Sequence, residues 1–399
     1  MRRATESEGR APARLWIDEV GEGLSFASLR AEWSRLVFKS EASPFLTWEW
    51  LYPWWRRVAP EAGLRILTAR DERGGLAGLL PLCERRSQVA GLEVRRWGFL
   101  GCDDWVGSEY LDAVAPRGRE GQLASLFAEH LAARRARFDV LELLDQPEGS
   151  ALGARVLEHL APGALLAERF ARHVCPIVET RGDFESYLRE VGRADNLARR
   201  RKWLVAQPGF AIERTEQPGE VAAAMADFFR LHRLRWERDG GSQGINTAEV
   251  RAFHRDAAEL LAESGMLRLY TLRLGSQALA SVYGIVHRDR FYYYQSGYDP
   301  GWTRRSVGLV LLGETLADAF REKRAVFDFL RGQEPYKFEW AKKARRRTEG
   351  VRIVNRTAAG AAWLAATSGA RAVKSAAQRL IGDERWEELR RRKRRRGSS

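Results

Sequence analysis

The stretch Tyr292–Leu309, YYYQSGYDPGWTRRSVGL, decides the fold. It reads as an aromatic strand ending near Tyr298, a loop carrying Arg304, Arg305 and Ser306, and a helix from Val307 to Phe320. In that order, the free N–H groups of the first helical turn and the positive end of the helix dipole converge on one point. Such a point favours an anion, a pyrophosphate above all. Gly308 has no side chain and lets a ligand come close to the backbone. A plain strand-to-helix turn with two exposed arginines gives the same pattern, and one glycine does not separate the two readings.

Downstream, Phe327–Trp340 (FDFLRGQEPYKFEW) reads as a short buried strand, a tight polar turn, then Tyr336 and Lys337 ahead of Trp340. Upstream, Trp236 and Gly240 form a W-x-x-x-G pair. With the loop Arg304–Leu309 between them, these features make the segment from about Gly182 to Val354 resemble a GNAT-like family. That family comprises the CelD proteins of cellulose biosynthesis, also described as the BioF-like acetyltransferase domain, and is related to the FemAB peptidyltransferases.

The resemblance implies an N-acyltransferase in which acyl-CoA lies where two central strands part. Its pyrophosphate would meet Arg304, Arg305, Ser306, Val307, Gly308 and Leu309. The implied co-substrate is acetyl-CoA or another acyl-CoA, without a metal. The implied reaction is direct attack of an amine on the thioester, with a proton accepted and the oxyanion held by a backbone N–H. The candidate catalytic residues are Lys337, Tyr298 and Tyr336. Lys337 would bind an anionic acceptor or stabilise developing negative charge, unless it is a surface lysine. Tyr298 would relay a proton or protonate the leaving thiolate, unless it packs like Tyr292, Tyr293 and Tyr294. Trp236, Arg331 and Glu334 are the candidate acceptor contacts. Glu334 and Asp328 are also possible bases, although a carboxylate inside an apolar strand more commonly makes a structural hydrogen bond.

The family's phosphate loop usually holds more glycine than Ser306-Val307-Gly308. FemAB relatives use aminoacyl-tRNA, so an acyl group on a larger carrier is the alternative, and a catalytically inactive scaffold is a third reading. The acceptor implied is a small molecule or a sugar, amino acid or envelope-polysaccharide precursor.

The order of elements recurs along the chain. Strand, helix, hairpin, strand, helix, strand over about 13–144 is followed by a similar series over 209–330, as in an internal duplication. The expected fold is therefore α+β, with tandem GNAT-like domains, mixed central sheets flanked by helices and a basic helical tail. The expected divisions are a disordered leader over 1–12, a degenerate GNAT-like domain over 13–180, an acyltransferase domain over 181–354 and an amphipathic, basic tail over 355–399. Glu109–Ala115 is read as a strand, with Asp112 a candidate to face the cleft between domains. Trp48, Trp50, Trp54 and Trp55 crowd one short helix capped by Thr47, and packing at the domain boundary explains them best. The first half lacks an arginine–glycine phosphate loop, so no donor binding is expected there.

Bulk properties bound the rest. Of 399 residues, 45% are hydrophobic and 30% charged, as in an ordinary globular protein. Cys83, Cys102 and Cys175 are scattered, with no ligand spacing for zinc and no disulfide framework, which fits a reducing cytoplasm. The N-terminus holds no apolar run of signal-peptide length, and no apolar stretch is long enough to span a bilayer. The net charge of +14 favours anionic partners, with basic runs at Lys342–Arg347 and Arg390–Arg396. The tail suggests peripheral contact with an acidic inner-membrane face, or else a merely solvated charge run. Binding of tRNA through Arg199–Lys202 is the lesser alternative. A recognition helix for DNA is absent.

Overall fold

The computed structural model describes residues 14–103, 105–237, 244–332 and 334–381. The leader over 1–12, Gly240 of the W-x-x-x-G pair and the part of the basic tail over 382–399 lie outside the described residues.

Both halves run through the same series of elements. The first has β1 (Trp16–Val20), α1 (Gly23–Ser28), α2 (Arg30–Lys39), α3 (Trp48–Val58), β2 (Gly63–Arg70), β3 (Leu76–Val89) and β4 (Leu92–Phe99). It continues with α4 (Glu120–Ala133), β5 (Val140–Pro147), α5 (Ala151–Leu160) and β6 (Ala164–Glu179). After α6 (Phe184–Glu190) and α7 (Ala194–Val205), the second half repeats the series with β7 (Phe210–Thr215), α8 (Pro218–Glu237), α9 (Ala248–Glu263), β8 (Leu267–Leu274) and β9 (Gln277–His287). Then come β10 (Arg290–Tyr298), α10 (Val307–Arg321), β11 (Val326–Asp328), α11 (Pro335–Trp340), β12 (Ala344–Asn355) and α12 (Ala358–Ile381).

The two sheets that the repeat suggests are fused into one of twelve strands, in the order β1-β2-β3-β4-β5-β12-β6-β11-β10-β9-β8-β7. Each half supplies five strands and ends on the last strand of the other. β12 pairs antiparallel with β5, β6 pairs antiparallel with β11, and the exchanged strands pair with each other from Ala344↔Ile177 to Asn355↔Ala164. This long antiparallel seam leaves no edge between the halves.

Packing follows the strand period of two. On β10, Tyr292 and Tyr294 join the core that also contains Phe253 of α9, while Phe291 and Tyr293 join the one under α10. Gly297 permits α8 to lie directly on the strand, because a Cβ there would collide with backbone atoms of Leu231 and His232. Helix α3 is wedged between the halves: Trp50 is fully buried, with its ring 5.0 Å from that of Phe253 and 5.2 Å from that of Tyr294. Its indoles are all satisfied, Trp48 by the Phe26 carbonyl, Trp50 by the Ser108 hydroxyl, Trp54 by Asp103 and Trp55 by the Ala62 carbonyl. The Thr47 hydroxyl does not cap this helix; it donates back to the Pro44 carbonyl at 2.7 Å.

The strand expected over Glu109–Ala115 is instead a loop, with one isolated bridge between Val114 and Leu79. Its polar groups are held by neighbours rather than by a ladder, such as Leu111 N–H on the Asp145 carbonyl at 3.0 Å.

The exchange makes each half depend on the other. A polypeptide of residues 181–354 lacks β6, so β11 and β12 lose their partner along the seam. Urea denaturation of that fragment is expected to show no cooperative transition, and a sharp one would contradict the dependence.

Candidate functional site

β10 and β11 run parallel but pair only from Arg290↔Val326 to Tyr292↔Asp328. Beyond that point β10 continues to Tyr298, while the chain after Asp328 turns away through Leu330 (φ 56°) and Gly332 (φ 129°). A β-bulge between Tyr293 and Gln295 shifts the register of β10 against β9 along this stretch. The turn is fixed by the Asp328 carboxylate, which accepts from the Leu330 N–H at 2.8 Å, the Tyr110 hydroxyl at 3.0 Å and the Arg346 guanidinium at 3.3 Å. Burial pushes its pKa up, against the pull of Arg346. Asp328 is thus a structural carboxylate of the gap.

On the α10 side of the gap lies a cavity of about 250 Å³. Its walls are largely apolar, with Ala280, Val282 and Leu311 among them, and Tyr298, Ser306, Val307, Gly308 and Leu309 lie around the helix start. Ser306 is left-handed (φ 58°) and its side chain does not cap the helix. The first bond back along the helix is Val310 N–H to the Ser306 carbonyl at 3.0 Å, so the amides of Val307, Gly308 and Leu309 stand at the open end. A Cβ on Gly308 would already touch the Tyr298 ring at 3.4 Å. Arg304 and Arg305 do not line the cavity; both are exposed at its rim. The Arg305 guanidinium lies 3.7 Å over the Trp203 ring, and Arg200 donates to the Arg304 carbonyl at 2.7 Å.

A second cavity, of about 290 Å³, brings Trp236, Arg331, Glu334, Tyr336 and Lys337 together with Trp105 and Glu109 of the first half. The two cavities share Arg235, Tyr293, Ser296 and Tyr336, and therefore meet at the parted strands. Tyr298 lines only the first cavity. Lys337 is a buried lysine rather than a surface one, 6% exposed, and its ammonium donates to the Arg331 carbonyl at 2.6 Å and pairs with Glu334 at 3.2 Å. Burial raises the Tyr336 pKa, with Arg235 opposing.

Two further groups, Arg235 and Glu109, complete the site. Arg235 stands where the cavities meet: it donates to the Ser296 hydroxyl at 2.6 Å, and its guanidinium lies 5.1 Å from the Trp236 ring, 5.7 Å from Tyr298 and 5.8 Å from Tyr336. Its helical position beside Trp236 was the available signal. Glu109, 1% exposed, accepts from the Arg331 N–H at 2.8 Å and the Cys175 thiol at 3.4 Å, with the Arg331 guanidinium at 3.5 Å. Burial pushes its pKa up to about 7, even against Arg331. No local motif marks it. Asp112 is not part of this lining; burial lifts its pKa to about 6 beside Ser150 and Gln146.

The basic run Lys342–Arg347 is largely engaged within the protein. Lys342 donates to the Val191 carbonyl, Lys343 pairs with Glu190, Arg346 with Asp328 and Arg347 with Glu148. Among the described residues, no group of three or more His, Cys, Asp or Glu is placed to hold a metal ion, and no helix is long and apolar enough to cross a membrane.

His254 is buried behind the second cavity, with its ring 6.1 Å from that of Trp50 and 5.9 Å from that of Tyr283, and burial lowers its pKa to about 3. A depressed folded-state pKa means that the fold holds the neutral ring. Its contribution is full above the unfolded value near 6.5 and is lost as pH falls from there toward 3. His254→Phe is therefore expected to flatten the pH dependence of stability between pH 6 and 4, by about 1.4 kcal/mol per pH unit, as read by urea melts. An unchanged slope would mean that His254 becomes protonated without penalty.

Residues 192–338 match the family model described as an acetyltransferase (GNAT) domain. No curated protein matches the chain in sequence. Among solved structures, FemX is similar at 12% identity with a TM-score of 0.56, over 82% of this chain and 96% of that one. A conserved protein of unknown function from Bacteroides thetaiotaomicron is similar at 11% identity and a TM-score of 0.51, over 85% and 100%. L-PGS from Bacillus licheniformis is similar at 10% identity and a TM-score of 0.50, over 87% and 96%. The coverage takes in both halves, and at these identities the likeness is one of fold.

Proposed function

We propose that the chain is a GNAT-fold acyltransferase related to the FemAB proteins, with its family segment at residues 192–338, and that it moves an acyl group from acyl-CoA to the amine of an acceptor held between its halves. The observation that carries this is the meeting of two cavities at the parted strands. One opens on the uncapped start of α10, and the other is lined by both halves.

The residues present fit the donor. The amides of Val307, Gly308 and Leu309 would hold the pyrophosphate, with Arg304 and Arg305 adding positive potential at the rim. The apolar walls would take the pantetheine arm and a small acyl group such as acetyl. When bound, the thioester supplies the activated carbonyl. Arg235, held by Ser296, stands where negative charge develops, and Tyr298 beside Gly308 is the candidate proton donor to the leaving thiolate. The acceptor is an amine of a sugar, amino acid or envelope- or exopolysaccharide precursor, for which Trp105 and Trp236 offer stacking faces and Arg331, Glu334 and Lys337 polar contacts. Residues 382–399, with the Arg390–Arg396 run, would attach the enzyme to an acidic membrane surface.

One observation favours a second donor. Arg199, Arg200, Arg201 and Lys202 lie on α7, whose Trp203 stacks under Arg305 at the cavity rim. A basic surface there suits the carrier of an aminoacyl-tRNA, and such binding would weaken steeply with salt.

Acetyl-CoA at a hundredfold excess over its Kd is expected to stabilise the protein by about 2.7 kcal/mol. Gly308→Val is expected to weaken acetyl-CoA binding at least tenfold in calorimetry, with an unchanged melting temperature. Arg304→Glu/Arg305→Glu is expected to weaken it less, as rim charges do. Undiminished affinity in Gly308→Val would contradict the donor site. Salt-dependent tRNA binding without acetyl-CoA binding would select the second donor.

A further inference from the structure

We infer that Glu109, carried on the first half's loop, is the catalytic base that takes the proton from the acceptor amine in the second cavity. The inference rests on the acyl-transfer reading and adds the residue that makes the acceptor a nucleophile.

Geometry selects Glu109. Among the described residues, the carboxylates lining the second cavity are Glu109 and Glu334, and Glu334 pairs with Lys337 at 3.2 Å. Asp328 is held by Leu330, Tyr110 and Arg346 and does not line the cavity. Asp145 is taken by Arg172 through two bonds of 3.1 and 3.2 Å. His232 also lines the cavity, but burial lowers its pKa to about 3 and so makes it a weak base.

Glu109 is positioned as a base must be. The Arg331 N–H and the Cys175 thiol hold Oε2 and fix the rotamer. Oε1, with the Arg331 guanidinium nitrogen at 3.5 Å, is the atom left to receive a proton. The charged groups facing it work in opposite directions: Arg331 favours the carboxylate, while Asp328 and Asp145 disfavour it. Cys175, Tyr110 and Tyr294, also beside it, are kept as neutral thiol and phenols by burial. A base poised near neutrality exchanges its proton readily with both an ammonium group and water.

The acceptor enters as an ammonium ion and gives one proton to Oε1 of Glu109. The freed nitrogen attacks the thioester carbonyl carbon, a C–N bond forms and the C–S bond breaks. The nitrogen's second excess proton goes to the departing thiolate, and Glu109 returns its proton to solvent. The net products are the amide, the free thiol and one proton.

Turnover of the full chain would be measured with acetyl-CoA as donor and glucosamine or L-lysine as acceptor, from pH 5.5 to 9. Wild-type kcat/KM is expected to rise through an inflection near 7, because Glu109 must be ionised to act. Glu109→Gln is expected to lower kcat at least about a hundredfold and to remove that inflection, so that the rate follows the acceptor amine alone. Its KM for acetyl-CoA should stay within about twofold, since the donor cavity is untouched. Glu109→Asp, which keeps the carboxylate should the amide disturb the Arg331 turn, is expected to retain the inflection with a reduced rate. A Glu109→Gln enzyme that keeps most of its kcat overturns the inference, and so does one that is slow yet keeps the inflection. Either result leaves acetyl-CoA binding in place, whereas a wild type that does not bind acetyl-CoA defeats the donor assignment itself.

Discussion

One buried carboxylate holds the gap on which the site depends. Asp328 is the last residue of β11 and sits opposite Tyr292, where the parallel strands stop pairing. Its oxygens take the Leu330 N–H, the Tyr110 hydroxyl and the Arg346 guanidinium, which belong to the turn, the first half's loop and the exchanged strand β12. The turn, the exchanged strand and a loop 218 residues away in sequence thus meet on a group that is expensive to leave unpaired in the interior. That convergence sends the chain away from β10 and so opens the space in which the two cavities meet.

The same parting exists in the first half and has a different use. β4 and β5 are parallel and pair only from Arg96↔Val140 to Gly98↔Glu142. In the second half a short turn leads from β10 straight to the start of α10. In the first, a much longer loop runs from Leu100 to Arg119 before α4 begins. That loop buries Val106, Tyr110 and Leu111 and reaches across to the other half. There the Val106 carbonyl accepts from the Tyr294 hydroxyl, and Glu109 accepts from the Arg331 N–H. One copy therefore keeps an open helix start, while the other has become a wall of the second cavity. The strand exchange holds the two copies in register, since β6 and β12 each belong to both.

Local chemistry was legible in the sequence, and long-range chemistry was not. The aromatic strand, the loop and the helix start at Val307 could be read from Tyr292–Leu309, because strand period, turn residues and helix onset are local properties. The motif spacing also named Trp236, Arg331, Glu334, Tyr336 and Lys337, which the fold brings to one cavity. Arg304 and Arg305 could be found but not aimed: the left-handed Ser306 turns the loop so that they stand at the rim. Glu109 was hidden because the largely apolar stretch Glu109–Ala115 reads as a strand, while its true environment is made by Arg331 and Cys175, far off in sequence. The strand exchange was hidden for a related reason, since antiparallel pairing of last strands within a half or between halves leaves the same pattern of apolar residues.

In the proposed donor site, the first amides of α10 grip the diphosphate of the donor. Hydrogen–deuterium exchange of the segment 299–312, with and without saturating acetyl-CoA, tests it most directly. The amides of Val307, Gly308 and Leu309 are expected to exchange more slowly when acetyl-CoA is present, while the β6–β12 seam is unaffected. Acetyl-CoA that binds yet leaves those three amides exchanging at their free rates would contradict it.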